Sequence, residues 1–294
     1  MVMPTQRQTP VGYRGRLAPS PTGFLHSGHG RTFWIAARRA QEFDGALVMR
    51  MDDLDRDRVR REFEEAALAD LRWLGLQWSE GPDVGGTFGP YRQSERLGHY
   101  QAAFERLKES GWIYPCVCSR RDIASSIAAP HPGDEEPIYP GTCRRMMESG
   151  NPPKIVGRRH VWRFKTDPGE VVGFKELRAG KSEFVAGKDF GDFVVWRHDG
   201  LPAYQLACVV DDAMMAIGEV VRGADLLVST ARQVMLYLAL GWSPPAYYHC
   251  PIMTDDHGIR LAKRNDALSL QTLRGMGKSP SELIQEWTIQ TDWH

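Results

Sequence analysis

The stretch RLAPSPTGFLHSGHGRTFWIAARRAQEFDGALVMRMDDLD, residues 16–55, decides the fold of this chain. It overlaps a short run that is typical of a buried strand, YRGRLA at 13–18, and continues in a loop with two prolines. Residues 31–37 look helical, and a second apolar run at 46–51 is followed by three carboxylates. The order strand, loop, helix, strand predicts a β-loop-α-β unit of a parallel sheet, and hence an α/β fold.

Polar and small residues gather where such a unit would bind a ligand. In open parallel sheets ligands lie outside the carboxyl ends of the strands, where the three carboxylates stand. The segment His26–Gly30, HSGHG, opens the predicted helix, whose free N–H groups attract anions. Gly28 would let a phosphate approach the backbone, and His26 and His29 could donate to it. The alternative is a surface loop with two incidental histidines, and the segment alone leaves both interpretations open.

Composition places the chain among ordinary soluble proteins. It has 294 residues, of which 42% are apolar and 25% charged. Neither an apolar run of membrane-spanning length nor a signal-peptide pattern occurs, so we expect a cytoplasmic protein with no membrane partner. The formal net charge of zero argues against indiscriminate nucleic-acid binding but allows a local basic face. No patterned apolar surface stands out, and a monomer is the default expectation.

The sequence changes character twice, which predicts three parts. Residues 1–12 are polar and are expected to form a flexible N-terminal arm. Residues 13–115 and 197–294 carry the α/β pattern and a C-terminal helical segment, so we assign them to one discontinuous catalytic domain. Between them, residues 116–196 hold a loop rich in Pro and Gly and then short β-like runs, which predict an inserted α+β subdomain.

Three cysteines cluster at the start of this insert. Cys116 and Cys118 form a C-x-C pair, and Cys143 follows a Pro-rich loop. Three thiolates are soft zinc ligands, and a tetrahedral structural zinc needs a fourth ligand. The candidates for that fourth position are Tyr139, His131 and an acidic residue. The alternative is three reduced cysteines that pack a loop, but a loop so poor in core residues favours a metal.

Two basic segments carry further predictions. The hexapeptide RLAKRN at 260–265 follows a glycine, and its Lys263 could neutralise a departing pyrophosphate. Seven Lys or Arg residues and one acid, Glu148, lie between Arg144 and Lys165, a balance that favours contact with nucleic-acid phosphates. For both segments the alternative is an ordinary solvated surface.

The histidine motif and the basic hexapeptide together resemble the HIGH and KMSKS motifs of class I aminoacyl-tRNA synthetases. RLAPSPTG at 16–23, RMDDLD at 50–55 and EVVRGADLL at 219–227 are similar to the glutamyl subgroup, as are shorter matches at 93–96, 203–207 and 210–212. The likeness covers about residues 13–270. It implies a Rossmann-like catalytic domain with a parallel sheet, plus an inserted zinc-containing α+β subdomain like those that bind a tRNA acceptor end.

Length narrows the resemblance further. Only 28 residues follow Asp266, so we expect no anticodon-binding domain. The chain thus resembles the truncated branch of the subgroup, which activates glutamate with ATP and Mg²⁺. That branch transfers the glutamyl group to the queuosine base in the anticodon loop of tRNA(Asp). The rival interpretations are a glutamyl-adenylate ligase with another tRNA or amine acceptor, and a catalytically idle tRNA-binding paralogue.

The resemblance also implies roles for individual residues. His26, His29 and Lys263 would be catalytic, and they would hold ATP together with Gly28. Glutamate would be bound by Arg16, Ala18, Ser20, Asp52, Tyr204 and Arg222. The zinc ligands would be Cys116, Cys118, Tyr139 and Cys143, because the family uses a tyrosine placed like Tyr139. Two departures stand out: Asp52 replaces a glutamate that is common in the family, and Ala262 replaces the serine of the KMSKS motif.

Overall fold

The computed structural model of the chain describes residues 12–125, 138–253 and 269–291. Two 3-10 turns, Gln93–Glu95 and Ala224–Leu226, accompany the helices and strands. In chain order these are β1 (Arg14–Leu17), α1 (Ser27–Glu42), β2 (Ala46–Met49), α2 (Arg61–Trp73), α3 (Leu97–Glu109), β3 (Ile113–Cys116), α4 (Arg120–Ser125), α5 (Thr142–Glu148), β4 (Val161–Phe164), β5 (Val171–Glu176), β6 (Gly180–Val185), β7 (Phe193–Trp196), α6 (Tyr204–Met214), β8 (Glu219–Gly223), α7 (Leu227–Ala239), β9 (Ala246–Cys250), α8 (Leu270–Gly275) and α9 (Pro280–Thr291).

The predicted β-loop-α-β unit is confirmed. Strands β1 and β2 pair in parallel, with Arg16 opposite Val48, and α1 connects them. The helix buries Trp34 and Ile35 in the same apolar cluster as Leu17, which lies on β1. The buried residues of α1 therefore fasten it to the sheet, and the loop before α1 lies at the carboxyl end of β1.

A second parallel pair, β8 and β9, lies beside the first. The backbone N–H of Gly218, just before β8, donates to the carbonyl of Arg14 at 2.8 Å. The side chain of Arg16 then donates to the carbonyl of Val221 at 3.0 Å. These contacts bring β1 and β8 side by side, so the residues at their carboxyl ends share one edge. The segment that begins at Tyr204 forms helix α6.

The middle of the chain forms β structure, as its short apolar runs predict. Strands β3, β4 and β7 make an antiparallel sheet. Strands β5 and β6 make an antiparallel hairpin, and β5 continues into the sheet of β9 and β8 through a bridge between Glu176 and Tyr247. The hairpin thus contacts the sheet that carries Arg222. Within the described ranges, no helix is long and apolar enough to cross a membrane.

The last two helices pack over the start of α1. The indole of Trp287 on α9 is buried and donates to the hydroxyl of Ser27 at 3.0 Å. A Cβ at Gly30 would lie 3.0 Å from the Trp287 ring, so this close approach explains the glycine there. Leu270 begins α8 and donates its N–H to the carbonyl of Leu25 at 2.7 Å. The chain beyond residue 268 is therefore anchored directly on the histidine motif.

Candidate active site

One cavity of about 390 Å³ collects the predicted substrate residues. It lies at the carboxyl ends of β1 and β8, beside the start of α1. Nine of the ten predicted substrate residues line it: Arg16, Ala18, Ser20, His26, Gly28, His29, Asp52, Tyr204 and Arg222. The tenth, Lys263, lies outside the described residues.

His26 is the N-cap of α1 and shapes the start of that helix. Its backbone is extended, and its Nδ1 accepts from the N–H groups of Gly28 at 3.1 Å and His29 at 3.4 Å. A neutral imidazole whose Nδ1 accepts carries its proton on Nε2. The rings of His26 and His29 stack with their centroids 3.6 Å apart. The two histidines therefore form one unit at a helix N-terminus, where anions are favoured.

Besides access for a phosphate, the structure provides a second explanation for a glycine at position 28. A Cβ at this position would lie 3.1 Å from Cε1 and 3.2 Å from Nδ1 of the His26 ring. Those distances are too tight for a side chain to fit without displacing the ring. The glycine therefore allows His26 to turn back over its own helix and cap it.

Two buried arginines, Arg16 and Arg222, also line the cavity. Arg16 is held by the carbonyl of Val221 and lies 3.5 Å from a carboxylate oxygen of Asp212. Its Nε has no hydrogen-bond partner, although it is buried. Arg222 donates to side chains of α7 and β9. A buried pair of guanidinium groups is suited to bind carboxylates.

Asp52 supplies a negative charge to the lining of the same cavity. Of the three carboxylates that follow β2, Asp52 alone lines the cavity. Asp53 instead accepts from the backbone N–H of Ser94 at 2.8 Å, and Asp55 pairs with Arg58 near the surface. Burial raises the pKa of Asp52 from its ordinary value of 3.8 to about 6, against the opposing influence of Arg50. The carboxyl group therefore changes charge close to physiological pH.

A buried cluster of charged residues holds Asp52 in place, and sequence reasoning assigned no role to it. Arg50 is fully buried and bonds Asp52 at 2.7 Å and Asp212 at 2.6 Å. Burial alone would lower the pKa of Arg50, but these carboxylates and Asp211 raise it well above its ordinary value. Asp211 in turn accepts from Arg96 at 2.6 Å. The available signal in the sequence was Arg50 itself, because a charged residue at the end of an apolar run indicates a buried partner of opposite charge.

The cysteine cluster lies apart from the cavity, where β3 and α5 meet. The sulfur atoms of Cys116, Cys118 and Cys143 lie within 4.8 Å of one another. The hydroxyl of Tyr139 is 3.3 Å from the Cys116 sulfur and 3.6 Å from the Cys118 sulfur. It accepts from the backbone N–H of Cys143 at 2.8 Å. The three predicted sulfur ligands and the phenol are therefore together.

The donor set and its spacing fit zinc. Tetrahedral coordination at usual bond lengths puts two sulfurs about 3.8 Å apart and sulfur and oxygen about 3.5 Å apart. The Cys118 and Cys143 sulfurs are separated by 3.5 Å, close to that value. Arg163 lies against the cluster, donating to the Cys116 sulfur at 3.4 Å with its guanidinium 4.1 Å from the Tyr139 ring. Its positive charge would partly offset the negative charge of thiolates.

The basic segment between Arg144 and Lys165 is divided in the structure. Arg163 is buried under the cysteine cluster, and Arg144 is tied to Glu148 at 3.0 Å and to the carbonyl of Thr166 at 2.6 Å. Both have structural roles that the charge count alone could not separate. The exposed cations of the predicted nucleic-acid face are Arg145, Lys154, Arg158 and Arg159.

Comparison with known proteins places the chain in one family of tRNA synthetases. Residues 13–289 match the family described as tRNA synthetases class I (E and Q), catalytic domain. The chain is 47% identical to the glutamyl-Q tRNA(Asp) synthetase of Symbiobacterium thermophilum, with 92% of this chain and 84% of that one aligned. The enzyme of the same name from Nitratidesulfovibrio vulgaris is 46% identical, with 90% and 82% aligned.

Glutamate–tRNA ligases are also similar, but the chain spans little more than half their length. Glutamate–tRNA ligase 2 of Syntrophus aciditrophicus is 40% identical, with 92% of this chain and 56% of the ligase aligned. The crystal structure of glutamate-tRNA synthetase from Elizabethkingia anophelis superposes with a TM-score of 0.73 at 28% identity. That match covers 90% of this chain and 54% of the other.

Proposed function

Because the chain belongs to the class I tRNA synthetase family for glutamate and glutamine, we propose that it activates glutamate with ATP and glutamylates queuosine in tRNA(Asp). Glutamyl-adenylate is the intermediate. The observation that carries the proposal is one cavity that is lined by paired histidines, two buried arginines and a carboxylate. The histidines suit a triphosphate, and the arginines with the carboxylate suit a dicarboxylic amino acid.

Recognition of glutamate requires two cationic groups for its two carboxylates and an anion for its ammonium. Arg16 and Arg222 supply the cations, and Asp52 supplies the anion. Tyr204, Ala18 and Ser20 complete the walls of the proposed glutamate site. Asp52 is one methylene shorter than the glutamate usual in the family and is drawn back by Arg50, so a water between it and the ammonium suits the geometry.

In the first step the α-carboxylate of glutamate attacks the α-phosphorus of ATP, and pyrophosphate leaves. The protein contributes position and charge rather than a covalent intermediate. The His26 and His29 pair holds the ATP phosphates at the start of α1, and Lys263 stabilises the departing pyrophosphate. Mg²⁺ bound to the phosphates would neutralise part of their charge. In the second step a hydroxyl of the queuosine cyclopentene diol attacks the glutamyl carbonyl, and AMP leaves.

The choice of acceptor rests on the relatives. The two glutamyl-Q tRNA(Asp) synthetases are 46–47% identical to the chain, whereas the glutamate–tRNA ligase of Syntrophus aciditrophicus is 40% identical. The exposed cations Arg145, Lys154, Arg158 and Arg159 offer the tRNA backbone a basic surface.

We assign a structural zinc to Cys116, Cys118, Cys143 and Tyr139. Zinc would hold β3, α5 and the loop before α5 together. Burial raises the pKa of the Cys118 thiol to about 12 and also raises the pKa of Tyr139. Binding of zinc must therefore displace protons from these groups.

The decisive experiment compares acceptors. Purified protein is incubated with ATP, labelled glutamate and tRNA(Asp), with and without queuosine, after glutamate-dependent ATP–pyrophosphate exchange has been measured without tRNA. We expect exchange in the absence of tRNA, and label only on tRNA that contains queuosine. A tRNA(Asp) that contains queuosine but lacks the 3′-terminal adenosine should be labelled equally well.

Each other outcome would favour one of the rival interpretations of the function. Label that requires the 3′ adenosine would make the protein a glutamate–tRNA ligase. Exchange without transfer to any tRNA would indicate a different amine acceptor. Absence of exchange with glutamate and with other amino acids would leave the catalytically idle paralogue.

A further inference from the structure

Arg222 has a fixed set of partners that accounts for three of its five N–H groups. Its Nη1 donates to Gln233 at 2.8 Å, and its Nη2 donates to the hydroxyl of Thr230 at 2.6 Å. Its Nε donates to Nε2 of His249 in a longer contact of 3.4 Å. A guanidinium has five N–H groups, so two remain. Two is the number that a carboxylate takes in a bidentate pair.

His249 is held from its other side by Glu176. The backbone N–H of His249 donates to Glu176 Oε1 at 2.7 Å, and its Nδ1 lies 3.6 Å from the same oxygen. The other oxygen of Glu176 accepts from the N–H groups of Arg178, at 3.0 Å, and Ala179. Both side chains are almost completely buried. Glu176 therefore cannot turn away from the imidazole without leaving several buried donors unpaired.

This arrangement selects one tautomer of His249. With the proton on Nδ1, the N–H lies 3.6 Å from the Glu176 carboxylate, too far for a hydrogen bond but close enough for attraction between the N–H and the negative charge. The Nε2 lone pair then faces the Nε–H of Arg222 and the Thr230 hydroxyl, which is 2.8 Å away. With the proton on Nε2, the ring could donate to Thr230, but the Nδ1 lone pair would face the carboxylate and the Nε–H of Arg222 would lose its acceptor. The carboxylate thus fixes which nitrogen carries the proton, as acidic partners of histidines commonly do.

We propose that His249 is a positioning residue for Arg222, and that Glu176 holds it in the tautomer that accepts the Nε–H of that arginine. The inference rests on the proposed role of Arg222 in binding glutamate. It accounts for two buried polar residues, Glu176 and His249, that the chemistry of adenylate formation does not use. It also gives the β5–β6 hairpin a function, because Glu176 is the residue at which β5 joins β9.

The charge of His249 agrees with this role. Burial, followed by the nearby Arg222, Arg178 and Arg16, lowers the pKa of His249 to about 3. The ring is therefore neutral at physiological pH and can accept a hydrogen bond. A second positive charge at this place would repel Arg222 and weaken its hold on a substrate carboxylate.

Two substitutions of His249 separate positioning from mere packing. His249→Gln places an amide near the position of Nε2 and can still accept from Arg222. His249→Asn places its amide near Nδ1, where it can meet Glu176 but cannot reach Arg222. We expect His249→Asn to raise the KM for glutamate by about tenfold in ATP–pyrophosphate exchange, with kcat and the KM for ATP within about twofold. His249→Gln should stay within about threefold of the wild-type KM.

Glu176→Gln tests the partner and does not alter the imidazole. Loss of the carboxylate charge removes the preference for the Nδ1–H tautomer, so the KM for glutamate should rise by about fivefold. Tyr237→Phe is the matched control, because its buried hydroxyl has no hydrogen-bond partner and belongs to the same helix, α7, as Thr230 and Gln233. It should leave both KM values unchanged.

The outcomes that overturn the inference differ from those that overturn the proposed function. Equal KM values for His249→Asn and His249→Gln would show that acceptance by Nε2 does not matter. A parallel rise in the KM for ATP would indicate a general structural role. If His249→Asn does not fold, an unchanged glutamate KM in Glu176→Gln decides against the inference. Failure of the wild-type protein to exchange with glutamate would instead refute the proposed function.

Discussion

We call the proposed glutamate-binding residues Arg16, Asp52 and Arg222 the glutamate end of the cavity. The glutamate end and the cysteine cluster both gather buried polar groups, but the first is held by several pairs of opposite charges, whereas the second has one cation beside four ionisable groups. At the glutamate end, Arg50 bonds Asp52 at 2.7 Å and Asp212 at 2.6 Å. In the cysteine cluster, three thiols and a phenol face one another, and Arg163 is the cation that contacts them. Burial there opposes ionisation and raises the pKa of Cys118 to about 12.

The difference separates a site that is formed before its ligand binds from a site that is completed by its ligand. Paired charges hold the glutamate end in place, so substrate binding requires little rearrangement. Cys118 and Tyr139, whose pKa values burial raises, gain their charge only when a cation displaces their protons. The stability of the first region should therefore be independent of ligand, whereas the stability of the second should depend on metal.

Removal of Arg50 should have the largest effect. Arg50→Met leaves Asp52 buried without its cation and leaves Asp212 with only the more distant Arg16, so we expect the free energy of unfolding to fall by about 3–5 kcal/mol. Denaturant titration at pH 7.5 measures this. Arg58→Met is the control: Arg58 pairs with Asp55 at the surface, where its side chain is 72% exposed, and its removal should cost less than about 1 kcal/mol. Similar losses in the two variants would show that paired charges do not hold the glutamate end.

Removal of metal should have the next largest effect. At free zinc 100-fold above its dissociation constant, binding adds about 2.7 kcal/mol to the free energy of unfolding, which chelation should remove. Cys116→Ser should lose the zinc, whereas Cys250→Ser, at a buried cysteine on β9, should keep it. Zinc added to the chelated protein should release about two or more protons per ion at pH 7.5.

The contrary results for the cluster are equally concrete. Unchanged zinc content in Cys116→Ser would refute the ligand set, and absence of proton release would show that the thiols ionise without metal. Tyr139→Phe tests the fourth ligand, since it keeps the ring and removes the oxygen. Unchanged affinity for zinc in that variant would return the fourth position to the alternatives, an acidic residue or His131, which lies outside the described residues.

Sequence reasoning succeeded where the signal was local. Residues 31–37 predicted part of α1, and the short β-like runs within 116–196 predicted the β structure that is found there. An apolar run at 204–210 fits a buried strand as well as a buried helix, and only packing decides in favour of α6. The nine cavity residues came from the resemblance to synthetases, which ordered motifs that are far apart in the chain.

The residues to which sequence reasoning assigned no role share one property: their partners are far away along the chain. Arg50 and Asp212 are 162 residues apart, and Glu176 and His249 are 73 apart. A charged residue at the end of an apolar run indicates that a partner exists but not which one. Sequence reasoning also did not predict that Gly28 makes room for the His26 ring, because this contact depends on the turn of the backbone. The access that Gly28 would give a phosphate stays a prediction.

The smallest expected effect concerns the charge of Asp52, and it tests whether the glutamate end is fully formed at every pH. The raised pKa of about 6 means that the folded state holds a proton that the unfolded state releases at about 3.8. This group therefore stabilises the fold most below pH 3.8, and that contribution is lost as the pH rises through 6. The ionised form is the one that can bind an ammonium group.

The KM for glutamate should consequently rise as the pH falls. At pH 5, one unit below the pKa, about a tenth of Asp52 is ionised, so the KM should be about tenfold higher than at pH 7.5. The KM for ATP should not follow this curve, since the histidines, and not Asp52, are proposed to hold the ATP phosphates. Asp52→Asn should have a high glutamate KM that does not vary over the same range. A wild-type KM that is flat between pH 7.5 and 5 would mean that Arg50 keeps Asp52 ionised throughout, and that the glutamate end is as complete at low pH as at neutral pH.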